Sequence, residues 1–174
     1  MTLHWLPLEI VNIPARPLGF WTLALEFAPA SRLLRIRVTD KDTHQQPVAT
    51  VWSPANGVTC GPDGLLPDAP QNSKPAQSAG GSNEPLVSML CTSAPLGSLI
   101  AKIGGSTADL PDSSTSPNAI PYAGKKVFAV GSDAIISISS AADAGPLFLT
   151  MNDVPANFHL HSGALLVALS YYPL

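Results

Sequence analysis

Residues 147–172 read LFLTMNDVPANFHLHSGALLVALSYY, an apolar run, a polar interruption from Asn152 to His161, and a second apolar run. Apolar stretches on either side of a segment rich in Asn, Asp, Pro, His and Ser predict two strands joined at a sheet edge, with the loop as the place for chemistry. Other segments carry the same two-residue period. In Arg32–Thr39, Leu34, Ile36 and Val38 share one face, and Arg35, Arg37 and Thr39 share the other. That alternation predicts a half-buried antiparallel strand whose arginines face water. Leu18–Phe27 predicts a second strand, with Trp21, Leu23, Leu25 and Phe27 on one face. Val48–Trp52, Leu86–Leu90, Ser98–Ile103, Lys126–Val130 and Ala134–Ser139 predict further short strands. The segment Thr43–Pro47 is read as a hairpin turn, and Gly131-Ser132-Asp133 as the turn of another hairpin.

Working outward, roughly eight to ten short strands and no convincing helix predict an all-β, antiparallel β-sandwich or barrel in one domain. Composition agrees. Eighteen prolines in 174 residues are about twice the usual ~5% share, and proline at that density breaks helices. The longest excursion is Ser53–Pro85, with six prolines and five glycines in 33 residues and little periodicity, which predicts a long mobile loop. Gly105–Asn118 is read as another loop.

Charge narrows the function classes. Lys and Arg number 9 against 12 Asp and Glu, so there is no basic footprint for nucleic acid. No apolar run approaches the ~20 residues of a membrane-spanning helix. Met1–Pro14 lacks a basic n-region and is interrupted by Pro7, Glu9 and Asn12, so no signal peptide is read. Cytoplasmic residence and export by a non-classical route both stay open. Cys60 and Cys91 allow one disulfide at most, and two free thiols are the expectation. No nucleophile elbow, phosphate loop or paired-histidine zinc motif is present, so an enzyme is not expected.

Candidate site residues sit in the 152–163 loop. A carboxylate, side-chain amides and backbone carbonyls can together give calcium several of its six to eight oxygens. The same Asn-Asp-x-Pro residues also make good turns, because Asx side chains bond their own backbone. His159 and His161 fall on one face of an extended segment and, with Asp153, form a conceivable zinc set.

Three pieces carry a family resemblance. Asn152-Asp153-Val154-Pro155 leads to Ser162-Gly163, Cys91 is followed by Gly97-Ser98-Leu99-Ile100-Ala101-Lys102-Ile103-Gly104, and Cys60-Gly61-Pro62 forms a possible turn. Together they resemble the LecA-like, calcium-dependent galactose-binding bacterial lectins, mainly over the second half of the chain. The resemblance implies a jelly-roll, galactose-binding-domain-like sandwich and a glycan partner, with homo-oligomerisation possible. By the same resemblance the metal ligands are Asp153, Asn157 and the backbone carbonyl of Cys60, and the sugar contacts are Asp153, Val154, Asn157 and His161. Leu160 and His161 stand where the family has two asparagines, and Glu84 and Val87 where it has His and Gln, so the implied calcium and galactose site is an altered one. Asp63, Asp68 and Asn72 are candidate additional oxygens from the long excursion. A β-sandwich interaction or assembly protein without sugar binding is the alternative.

Overall fold

Segment 32–39 shows how directly alternation sets structure. In the computed structural model, which describes residues 4–30, 32–55, 57–65, 89–91, 93–108 and 127–173, Arg32–Thr39 is an eight-residue strand. Leu34 and Ile36 are buried and Arg37 is exposed. In chain order the strands are β1 (Leu6–Pro14), β2 (Thr22–Ala28), β3 (Arg32–Thr39), β4 (Trp52–Ser53), β5 (Leu99–Ile103), β6 (Phe128–Ala129), β7 (Asp133–Ile138), β8 (Gly145–Met151) and β9 (Ser162–Pro173), with one 3-10 helix, Pro155–Leu160, between the last two. All pairings between strands are antiparallel. Sheet one runs β1-β9-β3-β7 with β4 also on β9, and sheet two runs β2-β8-β5-β6. They stack as an all-β sandwich over a core that includes Ile13, Leu34, Ile36, Leu99, Leu149 and Val167.

Sheet two is buried on its second face too. Trp21, Leu90, Cys91, Ala94, Ile100, Phe148 and Phe158 form a separate apolar cluster. This explains why β8 loses its alternation: Leu147, Phe148, Leu149, Thr150 and Met151 are all buried. A strand covered on both sides reads as a continuous apolar run.

Several expectations are corrected here. The two strands of the 147–172 stretch do not pair at an edge: β8 lies inside sheet two and β9 inside sheet one, so the loop between them crosses the sandwich. Gly131-Ser132-Asp133 likewise does not close a hairpin, because β6 belongs to sheet two and β7 to sheet one. Gly131 makes that change of sheet with φ +62°, and a Cβ there would lie 2.4 Å from Asp63 Oδ1. In β2 the four residues expected on one face are split: Leu25 packs against the core, Trp21 joins the other apolar cluster, and Leu23 and Phe27 are exposed. Irregularities between Leu23 and Leu25 and between Leu25 and Ala28 slip the period, so Ala24 and Ala28 point inward. Such bulges are invisible to a strict period-2 reading. The Thr43–Pro47 turn does form, closed by a Lys41–Pro47 bridge and by Asp42 Oδ1 accepting from the His44 and Gln46 N–H groups. The strand that follows it shrinks to β4. β1, with no strand expected there, pairs with β9 from Leu6↔Tyr171 to Pro14↔Ala164. Met89 and Leu90 lie in no strand, while the rest of the Leu86–Leu90 segment and residues 66–85 lie outside the described residues, as does 109–118.

Cys60 and Cys91 are free and buried. Burial pushes the Cys60 thiol up to about 11, which suppresses the reactive thiolate. Two outcomes follow from this core. Leu149→Ala, at a fully buried position, should cost ~2–5 kcal/mol in urea unfolding, whereas Phe27→Ser should stay within ~0.5 kcal/mol. A thiol reagent should label both cysteines only as the chain unfolds, and reductant should leave the melting temperature unchanged.

Candidate functional site

β8 ends at Met151 because the next residue is a buried amide with a full set of partners. Asn152 Oδ1 accepts from the Cys91 N–H at 2.9 Å, and Nδ2 donates to the carbonyls of Cys91 (2.9 Å), Ala94 (2.8 Å) and Pro95 (3.1 Å). It pins Cys91, Ala94 and Pro95 onto the end of the strand. Val154 is extended (φ −73°, ψ 129°) ahead of Pro155, as a residue before proline prefers. Pro155 then opens the 3-10 helix, a position where its missing N–H costs nothing. The helix ends at His161, again extended (φ −69°, ψ 153°). Its inner side chain, Phe158, is buried against Phe20 (centroids 5.7 Å, edge to face) and the His161 ring (4.6 Å). These two turns of 3-10 helix return His161 to Asp153.

The two side chains form a buried pair, 0% and 3% exposed for His161 and Asp153. Asp153 Oδ2 lies 2.9 Å from His161 Nε2 and takes a longer contact, 3.4 Å, from the Ala55 N–H. Oδ1 accepts from the Val154 N–H at 2.6 Å and Asn157 Nδ2 at 3.2 Å. Burial pushes the Asp153 carboxyl up, but the hydrogen bonds from His161, Val154 and Asn157, with the charge of His161, outweigh it and hold the carboxyl below its ordinary value. On the other side of the ring, Nδ1 lies 3.0 Å from the Ala15 carbonyl. A carbonyl only accepts, so Nδ1 carries a hydrogen. Nε2 faces the Asp153 carboxyl, so both ring nitrogens are engaged in hydrogen bonds.

This geometry limits the chemistry. A carboxylate has about four lone-pair directions, and the four donors around Asp153 occupy them. Asn157 turns its amide N–H toward that carboxylate, and the Cys60 carbonyl accepts from the Trp52 N–H at 3.0 Å. Calcium requires oxygen ligands, and an imidazole N–H stands where such an ion would meet Asp153. The residues as arranged do not fit calcium. Of the expected set, Asp153, Val154, Asn157 and His161 are brought together, by hydrogen bonds to one another. Cys60 is committed to the β4 bridge, and Asp63 is committed to the Ser132 N–H at 2.8 Å.

The conceivable zinc pair is not assembled. His159 is exposed on the 3-10 helix, with Nδ1 on the Ala156 carbonyl, while His161 is buried. Two residues apart on a helix of three residues per turn do not share a face. Among the described residues no three His, Cys, Asp or Glu side chains are grouped to hold a metal. Both His161 nitrogens are engaged within the protein, one with Asp153 and one with the Ala15 carbonyl. Asp68, Asn72, Glu84 and Val87 lie outside the described residues. Ala15 and Ala55 act through their backbones, which no side-chain pattern reveals; Asn152, expected as the start of the loop, serves it by holding Cys91, Ala94 and Pro95.

In comparisons with known proteins, no family model matches the chain and no curated protein matches it.

Removing one member of the pair leaves a buried polar group without its partner. His161→Ala should cost ~3–5 kcal/mol, read by urea unfolding at neutral pH. Because the Asp153 carboxyl is held low in the folded state, its contribution is complete above the unfolded value near ~3.9 and is lost as pH falls through the folded value. Comparison with Asp153→Asn should place that difference in acid sensitivity below about pH 4.

Proposed function

We propose that this protein is a non-catalytic β-sandwich interaction module in which the 152–163 loop clasps the two sheets together instead of cradling a cation. The observation behind this reading is the Asp153 carboxylate, whose acceptor positions are all met by the protein's own N–H groups. On this reading the LecA-like resemblance extends to a jelly-roll-like sandwich and a crossing loop, without calcium-dependent galactose binding. No helix of the described residues is long and apolar enough to cross a membrane.

Glycan binding without calcium is a second reading, favoured by the open face of sheet one. There Trp5 and Tyr172 lie 6.1 Å apart, and the Arg35 guanidinium sits 5.9 Å from the Trp5 ring. Arg35 is in turn fork-bonded to Asp133. Aromatic faces beside fixed polar groups suit a sugar, which presents both C–H faces and hydroxyls.

Thermal unfolding with calcium and a panel of galactosides separates the readings. A site occupied at 100 times its dissociation constant would add ~2.7 kcal/mol, a shift of several degrees for a domain near this size. The expected result is no shift with calcium, with or without galactosides. A calcium-dependent shift that Asp153→Ala abolishes would overturn the proposal. A calcium-independent shift with any sugar, lost in Trp5→Ala, would select the second reading.

A further inference from the structure

A sandwich of two open sheets has four edges, and each edge strand presents unpaired backbone groups that another strand can take. Among the described residues, three of these edges are blocked. β1 carries Pro7 and Pro14, with a register shift between Pro7 and Glu9. β2 has two irregularities in seven residues. β6 is two residues long. The fourth edge, β7, has none of these defences. Its six residues, Asp-Ala-Ile-Ile-Ser-Ile, contain no proline and no glycine and run in unbroken register against β3, from Arg32↔Ile138 to Arg37↔Asp133. Ile135 at its centre is 55% exposed.

The direction of its free groups follows from one hydrogen bond. The Val38 N–H donates to the Ser132 carbonyl at 2.9 Å, one step beyond the ladder in the same register. In an antiparallel pair the bonded and non-bonded positions alternate, so Ala134, Ile136 and Ile138 exchange bonds with β3. Asp133, Ile135 and Ser137 therefore aim their N–H and C=O groups at the open edge.

We propose that two copies of this chain pair through β7, antiparallel about a two-fold axis at Ile135, so that sheet one continues across the dimer. This deepens the interaction-module reading by naming its partner as a second copy. In that register Ile135 lies opposite Ile135 of the partner subunit, and Asp133 lies opposite Ser137 of the partner subunit. The three outward N–H groups of each copy meet the three outward C=O groups of the other. No like charges are opposed: Asp133 meets a hydroxyl and keeps its own Arg35 on the outer face. The β-branched pair at the centre is the kind that stabilises cross-strand contacts. An isologous contact of this kind closes on itself, and the prolines of β1 stop the far edge of the same sheet from extending it. A foreign strand has no comparable reason to match both the register and the charges.

The test is sedimentation equilibrium of the full chain from micromolar to millimolar concentration. The expected result is a reversible dimer of the 18.1 kDa chain. Ile135→Pro removes an outward N–H at a position where edge strands tolerate proline, and it should weaken the dimer at least about tenfold. Ile135→Lys keeps the backbone and sets like charges together at the axis; it should do the same, and it decides the matter if the proline variant is unfolded by circular dichroism. A monomer throughout the range would overturn the proposal, as would a dimer that neither variant weakens. Neither result touches the calcium experiment on which the wider reading rests.

Discussion

The buried pair of Asp153 and His161 is the contact on which the rest of the site depends. Burying polar and ionisable groups costs several kcal/mol unless their hydrogen-bonding capacity is satisfied inside the protein. Here it is satisfied, by groups from four parts of the chain. Asp153 follows β8 in sheet two, His161 precedes β9 in sheet one, the Ala15 carbonyl follows β1, and the Ala55 N–H follows β4. The Ala15 N–H also donates to the Gly163 carbonyl at 2.9 Å, which fixes the entry to β9 beside β1. One buried hydrogen-bonded pair therefore couples the loop to both sheets.

The two outer faces of the sandwich differ in how they are covered. Sheet two is sealed by the aromatic cluster of Trp21, Phe148 and Phe158. Lys102 enters even that cluster, fully buried, with its ammonium on the Ser106 carbonyl at 2.7 Å and over the rings of Trp21 (5.1 Å) and Phe148 (4.6 Å). A cation held against aromatic faces keeps part of the stabilisation it loses with its water. Sheet one keeps its alternation, with Arg37 and Ile135 exposed and the Arg35–Asp133 pair part-exposed on its outer side. That exposed pair adds only ~0–1 kcal/mol to stability.

How much of this was legible in the sequence depended on what each residue contacts. β3 and β7 were readable because one face meets core and the other meets water, so Leu34, Ile36 and Ile138 alternate with Arg35, Arg37 and Ile135. β8 was readable as a strand, but its place inside sheet two was not, since burial on both faces erases the period. β1 was hidden because Pro7, Glu9 and Asn12 interrupt an apolar run that pairs on one side only. The shared face expected for Trp21, Leu23, Leu25 and Phe27 was lost for want of any local sign of the β2 bulges. Asp153 was legible as the centre of its loop and His161 as a neighbour. Their relation was not, because it rests on a 3-10 turn between them and on the carbonyl of Ala15, 146 residues from His161 in sequence.

The central claim is that Asp153 is bound to His161 rather than held in reserve for a ligand. A double-mutant cycle measures this directly, with urea unfolding of the wild type, Asp153→Asn, His161→Gln and the double variant at neutral pH. The account predicts a coupling energy toward the upper end of the ~0.5–3 kcal/mol found for residues in one buried network, with the double variant less destabilised than the sum of the singles. Additivity within ~0.3–0.5 kcal/mol, the behaviour of independent sites, would contradict it.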